Sequence, residues 1–164
     1  MKNYTLVFLI LLVCTSYIYP KGERMDGVCR PKSPNFKLVD MPFVGTNKIQ
    51  YYKVYLVDDV TKARGFGFYP DGRLIYFHSN DGYALSENDL FEKTWDNTSA
   101  IGYWRLNQNS LLIEYFSCTN SGDYITHEGI VKDNDVFLKR LCSTSPFKTE
   151  YCYEKLILTT IKFN

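Results

Sequence analysis

The chain has few of the residues from which helices and metal sites are built. Alanine, a strong helix former, occurs only three times in 164 residues, and no heptad repeat is present. The two histidines, His78 and His127, lie near none of the five cysteines. No pair of cysteines has the short spacing of a zinc knuckle. These absences argue against a helical bundle or a coiled coil, and we expect no bound metal.

An excess of charge of either sign is also missing. The chain carries 19 Lys and Arg residues and 18 Asp and Glu residues. Removal of residues 1–19, which include Lys2 and no acid, leaves 18 of each and a net charge of zero. A nucleic-acid-binding domain normally carries a basic patch and a positive net charge. We therefore expect no nucleic acid partner.

Motifs for catalysis are absent. His127 precedes Glu128, but a zinc protease motif needs a second histidine at the fourth following position, which is valine here. Neighbours on a strand point to opposite faces, so this pair cannot easily act together. The Asp133-x-Asp135 pair lacks the further ligands of a calcium loop and is interpreted as a turn. No nucleophile elbow is present, so we expect no catalytic residues, no cofactor and no enzymatic activity.

The longest hydrophobic run is short and lies at the start of the chain. Lys2 precedes eight apolar residues, Leu6–Val13, which are followed by small polar ones. This is the layout of a secretory signal peptide, assigned to residues 1–19. The other interpretation is a membrane anchor, but the uncharged stretch 3–20 is shorter than the roughly 20 apolar residues of a spanning helix.

Two cleavage sites fit this leader. Leu-Leu-Val-Cys, ending at Cys14, resembles a bacterial lipoprotein box, in which Cys14 would be lipidated, although Val13 stands where that pattern prefers Gly, Ala or Ser. An ordinary cut after Ser16 fits about as well. The protein is therefore expected to be secreted, or to be a periplasmic or outer-membrane lipoprotein whose only link to the membrane is the lipid.

The rest of the chain has the composition of strands. Fourteen tyrosines and eleven phenylalanines favour a pleated, half-buried surface. Pro-Asp-Gly at 70–72 predicts a type I turn with a bulge at the glycine. That register places Phe66 opposite Tyr76 and Phe68 opposite Leu74, whereas a two-residue turn would exchange the faces. The proline favours the first register.

The same pattern recurs along the chain. Residues 102–115 and 124–141 predict two further hairpins, while 48–60 and 151–163 predict long strands. Such a meander predicts an all-β, antiparallel up-and-down barrel of about eight strands, spanning residues 45–164 as one domain. Residues 80–97 interrupt it as a short helix or loop insertion, and 20–44 form a strandless N-terminal segment. The residues expected to face inward are Phe66, Phe68, Trp104, Leu106, Leu111 and Ile113.

Three stretches carry a resemblance to a known group of proteins. "FYPDGRLIYF", "GYWRLNQNSLLIEY" and "GIVKDNDVFLKRL" are similar to the small lipocalin-like, calycin-type β-barrel domains of bacterial envelope proteins. The similarity covers roughly residues 45–161. True lipocalins carry Gly-x-Trp on their first strand, whereas Gly102-Tyr103-Trp104 lies in the middle of this chain. The resemblance implies a barrel without catalytic activity, and many such domains have no assigned function.

The inward aromatic residues suggest two functions. In a small barrel they either fill the core or line a pocket for one small apolar ligand. The residues predicted to line such a pocket are Phe66, Phe68, Tyr76, Trp104 and Tyr115. The alternative function is a protein–protein interaction module, an inhibitor or accessory protein, that acts through loops at one end of the barrel.

Four cysteines remain after the leader, and their even number in an exported chain predicts two disulfides. Strand direction gathers Cys118, Cys142 and Cys152 at one rim. Cys142 and Cys152 flank one loop between adjacent strands, so we expect them to pair. Cys29 is then left for Cys118, and this bridge ties the N-terminal segment to the barrel.

Overall fold

A computed structural model describes residues 21–25, 28–57, 64–79, 90, 93–119, 122–145 and 148–164, with the backbone alone described from 140 to 149. Every element within these ranges is a β-strand. In chain order they are β1 (Gly22–Met25), β2 (Val28–Pro31), β3 (Lys53–Leu56), β4 (Arg64–Phe68), β5 (Arg73–His78), β6 (Ala100–Asn107), β7 (Ser110–Ser117), β8 (Asp123–Lys132), β9 (Asp135–Ser145), β10 (Lys148–Lys155) and β11 (Ile157–Lys162).

Nine of these strands form one curled antiparallel sheet in the order β10-β9-β8-β7-β6-β5-β4-β3-β11. The two edge strands, β10 and β11, are separated in the chain by Leu156 alone, so the sheet must curl until its edges approach each other. The buried Leu156 N–H donates to the carbonyl of Val136. The predicted all-β, antiparallel class is confirmed. The strand count differs from the expected eight because the predicted last strand, 151–163, is divided at Leu156.

The first predicted hairpin has the expected register. Phe66 pairs with Tyr76 and Phe68 with Leu74. Gly72 has a φ of 87°, a left-handed conformation that glycine adopts without a steric penalty. A proline at the first corner and this glycine after the turn therefore determine which residues of β4 and β5 face the interior.

The other two hairpin predictions are also confirmed. Asn107 pairs with Ser110 across a turn at 108–109, and Asp133 and Asn134, both with positive φ, connect β8 to β9. Of the six residues predicted to face inward, five are buried and Leu106 is half-buried against the same cluster. The period-2 alternation of the sequence thus identified the inner face.

Two predictions about the first part of the chain are wrong. In the described part of the strand predicted over 48–60, which ends at residue 57, only β3 is extended, because residues 51–52 form a turn in which Tyr52 has a φ of 57°. The N-terminal segment 20–44 is not strandless, since β1 and β2 pair as a separate small sheet. Both strands have only four residues and no alternating apolar residues, so the sequence contains no pattern from which they could be predicted.

Other predictions fall outside the described residues. These predictions concern the leader, the lipidation of Cys14 and most of the 80–97 insertion. Residues 95–97 of the insertion are described, and they form a turn. None of the described segments forms a helix with the length and apolarity needed to cross a bilayer.

Apolar residues are buried on both faces of the curled sheet. The inner cluster includes Tyr55, Phe68, Trp104, Ile113 and Val136. On the outer face, one cluster packs Leu90 and Phe163 against β3 and β5, and a second packs Cys29 and Phe36 against β6 and β7. The alternation of polar and apolar residues is weak in β4 to β7 because both faces of these strands are covered.

Two buried charged residues attach the N-terminal segment to the outer face. The Arg105 guanidinium donates to the carbonyl of Met41 at 2.9 Å and to that of Gly72 at 3.3 Å. The Glu114 carboxylate accepts from the backbone N–H of Leu38 at 2.9 Å. Because both side chains are nearly inaccessible to solvent, these bonds offset much of the cost of burying the two charges.

Candidate functional site

The five residues predicted to line a ligand pocket separate into two groups along the sheet interior. Phe68 and Trp104 are fully buried near the hairpin turns at 70–72 and 108–109. Residues 43–51 close this end: Phe43 packs edge-on against Trp104 with ring centroids 5.1 Å apart, and Ile49 joins the inner cluster. The indole Nε1 donates to the carbonyl of Tyr69 at 3.0 Å. We call this the Trp104 end, and it is filled by side chains.

The opposite end holds a cavity of 220 Å³. Tyr76 and Tyr115 line it, while Phe66 lies behind them with its ring 5.2 Å from that of Tyr76. We call this the Tyr115 end. The structure therefore brings two of the predicted ligand residues to a cavity and places a third in contact with them.

The aromatic rings at the Tyr115 end are stacked. The Tyr76 and Tyr115 rings have centroids 4.5 Å apart and an interplanar angle of 21°, and the His127 ring stacks on Tyr115 at 5.8 Å. Against the larger effect of burial, which raises the pKa of the Tyr76 hydroxyl, the nearby charge of Arg64 lowers it. Burial raises the pKa of both tyrosines above the usual range, so at neutral pH the cavity wall is a pair of neutral phenols.

Three basic residues around this cavity were missed by sequence reasoning. They are Arg24 from β1, Arg64 at the start of β4 and His78 at the end of β5. Arg64 and His78 are paired across β4 and β5, so the hairpin register already placed them together at one end. Arg24 could not be predicted as a residue of this cavity, because nothing in the sequence indicates that β1 lies at this rim.

The Cys29–Cys118 disulfide brings β1 and β2 to the cavity. The two Cα atoms are 5.7 Å apart, both cysteines line the cavity, and this predicted pairing is confirmed. Cys152 is also disulfide-bonded, while the side chain of its predicted partner, Cys142, is outside the described residues. The two do not flank a short loop as expected: the β9–β10 hairpin continues past them, and Cys152 pairs in register with Arg140.

The residues considered for catalysis lie apart from one another. His127 faces the aromatic stack, and burial lowers its pKa, whereas Glu128 points outward and binds Lys139 at 2.6 Å. Asp135 forms an ion pair with Lys155 beside the turn. In the part of the chain that the structure describes, no three His, Cys, Asp or Glu side chains are grouped as a metal site would require.

A second cavity, of 420 Å³, lies on the outer face between the N-terminal segment and residue 95. Phe36, Trp95 and Tyr103 form much of its wall. Its arginine, Arg30, already donates to the backbone carbonyls of residues 29, 95, 96 and 98. The cations at the Tyr115 end have no comparable set of described acceptors, so that cavity has more unused capacity for a polar ligand.

Comparison of the chain with known protein families, with curated proteins and with solved structures finds no match to any of them.

Proposed function

We propose that this protein is a non-catalytic, lipocalin-like barrel protein, exported from the cell, that holds one small, largely apolar ligand at the Tyr115 end. The observation that carries the proposal is the difference between the two ends of the sheet interior. Side chains fill the Trp104 end, whereas a cavity with a stacked aromatic wall occupies the other. A concave, partly apolar space with a few convergent polar groups is typical of small-ligand sites.

Two further observations support export and a closed, eight-stranded form of the barrel. Disulfides such as Cys29–Cys118 form and persist in oxidising compartments. If β10 and β11 are counted as one strand bent at Leu156, the sheet has eight strands and joins its own two edges. Secretion after a cut near Ser16 and lipidation at Cys14 both remain compatible with this proposal.

Native mass spectrometry of the protein purified from its own source tests the proposal. We expect a small additional mass that is lost on denaturation. Ser117→Phe places a ring in the cavity, which Ser117 lines as a half-buried residue, and should abolish the additional mass. Ser110→Phe is the matched control, because Ser110 is exposed at the other end of the same strand.

A protein without any additional mass, or Ser117→Phe protein that keeps it, would overturn the proposal.

The alternative function, a protein–protein interaction module, is favoured by Tyr151 and Tyr153. Both side chains lie on one face of β10, with exposed fractions of 59% for Tyr151 and 50% for Tyr153. Tyrosine is enriched at protein–protein interfaces. A co-purifying protein that is lost in the Tyr151→Ser, Tyr153→Ser double variant would support this alternative.

A further inference from the structure

The charge at the Tyr115 end restricts the chemistry of its ligand. Among the residues that the structure describes, the cavity lining contains the guanidinium groups of Arg24 and Arg64 and the imidazole of His78, and no carboxylate. Elsewhere the chain has almost equal numbers of acids and bases. The described lining is therefore locally positive in a protein with almost no net charge.

Neither arginine is neutralised by a described carboxylate. The ion pairs among the described residues join Lys21 to Asp123, Arg73 to Asp71, Lys139 to Glu128 and Lys155 to Asp135. The Arg64 guanidinium lines the cavity together with Tyr76 and carries five N–H donors. These donors suit a planar anion, because a guanidinium binds a carboxylate through two parallel hydrogen bonds.

The wall beside these cations is aromatic and flat. The stacked pair of Tyr76 and Tyr115 forms one side of the cavity, and Ile125 and Ala100 complete its apolar surface. At 220 Å³ the space is below the roughly 300–1,000 Å³ of pockets for drug-sized molecules. A ligand that fills it is one or two rings in size.

From this juxtaposition we infer that the ligand is a small planar anion, an aromatic carboxylate. Its ring packs along the Tyr76–Tyr115 wall, and its carboxylate is bound by Arg64 and Arg24. The inference rests on the proposed function and adds the charge and shape of the ligand to it.

Isothermal titration calorimetry with two probes of equal size tests the inference. The full chain is purified from a compartment in which its disulfides form and is titrated with 2-naphthoate and with neutral 2-naphthamide. We expect 2-naphthoate to bind at least about tenfold more tightly, as the net gain from one charge-assisted pair predicts. Arg24→Gln and Arg64→Gln should each weaken 2-naphthoate about tenfold and leave 2-naphthamide unchanged.

Lys132→Gln removes one exposed positive charge at the far end of β8 and is the matched control for long-range electrostatics. Equal binding of both probes would overturn the inference about charge while leaving the proposed function intact. Binding of neither probe would overturn the inferred ligand class, and the additional mass in native mass spectrometry then decides the proposed function separately. A thermal unfolding midpoint measured for each variant separates lost binding from lost folding.

Discussion

The two ends of the sheet interior are built from the same strands but are closed by different means. At the Trp104 end, residues 43–51 fold over the opening, and the Lys48 ammonium reaches the Asn109 side chain at 2.7 Å. At the Tyr115 end, a disulfide brings a short hairpin to the rim and leaves a cavity open beside it. A curled sheet can thus enclose a packed core at one end and a cavity at the other, depending on which piece of chain covers each opening.

Truncation of one aromatic residue at each end is the strongest test of this comparison. Trp104→Ala should lower the free energy of unfolding by about 3–5 kcal/mol, because it empties a fully packed site. Tyr76→Ala should cost less than half as much, since Tyr76 is only half-buried beside an existing cavity. Urea unfolding followed by circular dichroism measures both values. Equal losses would show that the Tyr115 end is packed as tightly as the other.

Removal of the bridge at the Tyr115 end should affect both stability and binding. The Cys29→Ser, Cys118→Ser double variant should lose about 2–4 kcal/mol of unfolding free energy, because the bridge closes a loop of 89 residues. It should also weaken 2-naphthoate, since the hairpin that carries Arg24 is no longer held at the rim.

The same urea titration, made with and without the probe, measures these two effects of the double variant. Trp104 provides an internal reference at the opposite end: in a Trp95→Phe background, which removes the tryptophan that packs near Cys29, its near-ultraviolet signal should be unchanged. An altered Trp104 signal would mean that the two ends are coupled, contrary to the comparison.

Alkaline pH should act on the buried tyrosines of both ends, and Tyr69 tests the contribution of the closed one. Burial raises the pKa of Tyr69, which packs on Phe163 outside the Trp104 end, to about 12. A folded-state pKa above the usual value of about 10 means that the unfolded chain loses its proton first, so stability is full below pH 10 and falls as the pH rises toward 12. Unfolding free energies measured from pH 8 to 12 should fall less steeply for Tyr69→Phe. Tyr153→Phe, at an exposed position, is the matched control.

The smallest expected effect is at acid pH and belongs to the Tyr115 end. Burial lowers the pKa of His127 below its usual value of about 6.5. The unfolded chain therefore takes up a proton first, and the contribution of the neutral imidazole to stability is lost as the pH falls below that value. The free energy of unfolding of His127→Gln should decrease less between pH 7 and pH 5 than that of the wild type. His78→Gln, which changes the exposed histidine, is the comparison, and a decrease of equal size in both variants would contradict the assignment to His127.

The hairpins could be predicted from the sequence because their signals are local. Pro-Asp-Gly at 70–72 has one favoured geometry, and that geometry sets which residues of β4 and β5 face the interior. The prediction of a strand over 48–60 was wrong because the structure of this segment depends on contacts with distant parts of the chain. Its apolar and aromatic residues suit a strand, but several of them cover the Trp104 end, and only the surrounding sheet requires that.

The sequence by itself therefore determined the strand class, three hairpins, the register of the first of them, and the Cys29–Cys118 pairing. Only the tertiary structure decided where the cavity lies and which charges surround it. Arg24 reaches Tyr76 and Arg64 through a disulfide and a curled sheet, across contacts between residues far apart in the chain. Turn geometry and side-chain alternation act over a few residues and leave a local signal. The closure of an end depends on which distant segment packs there, and no local pattern records that.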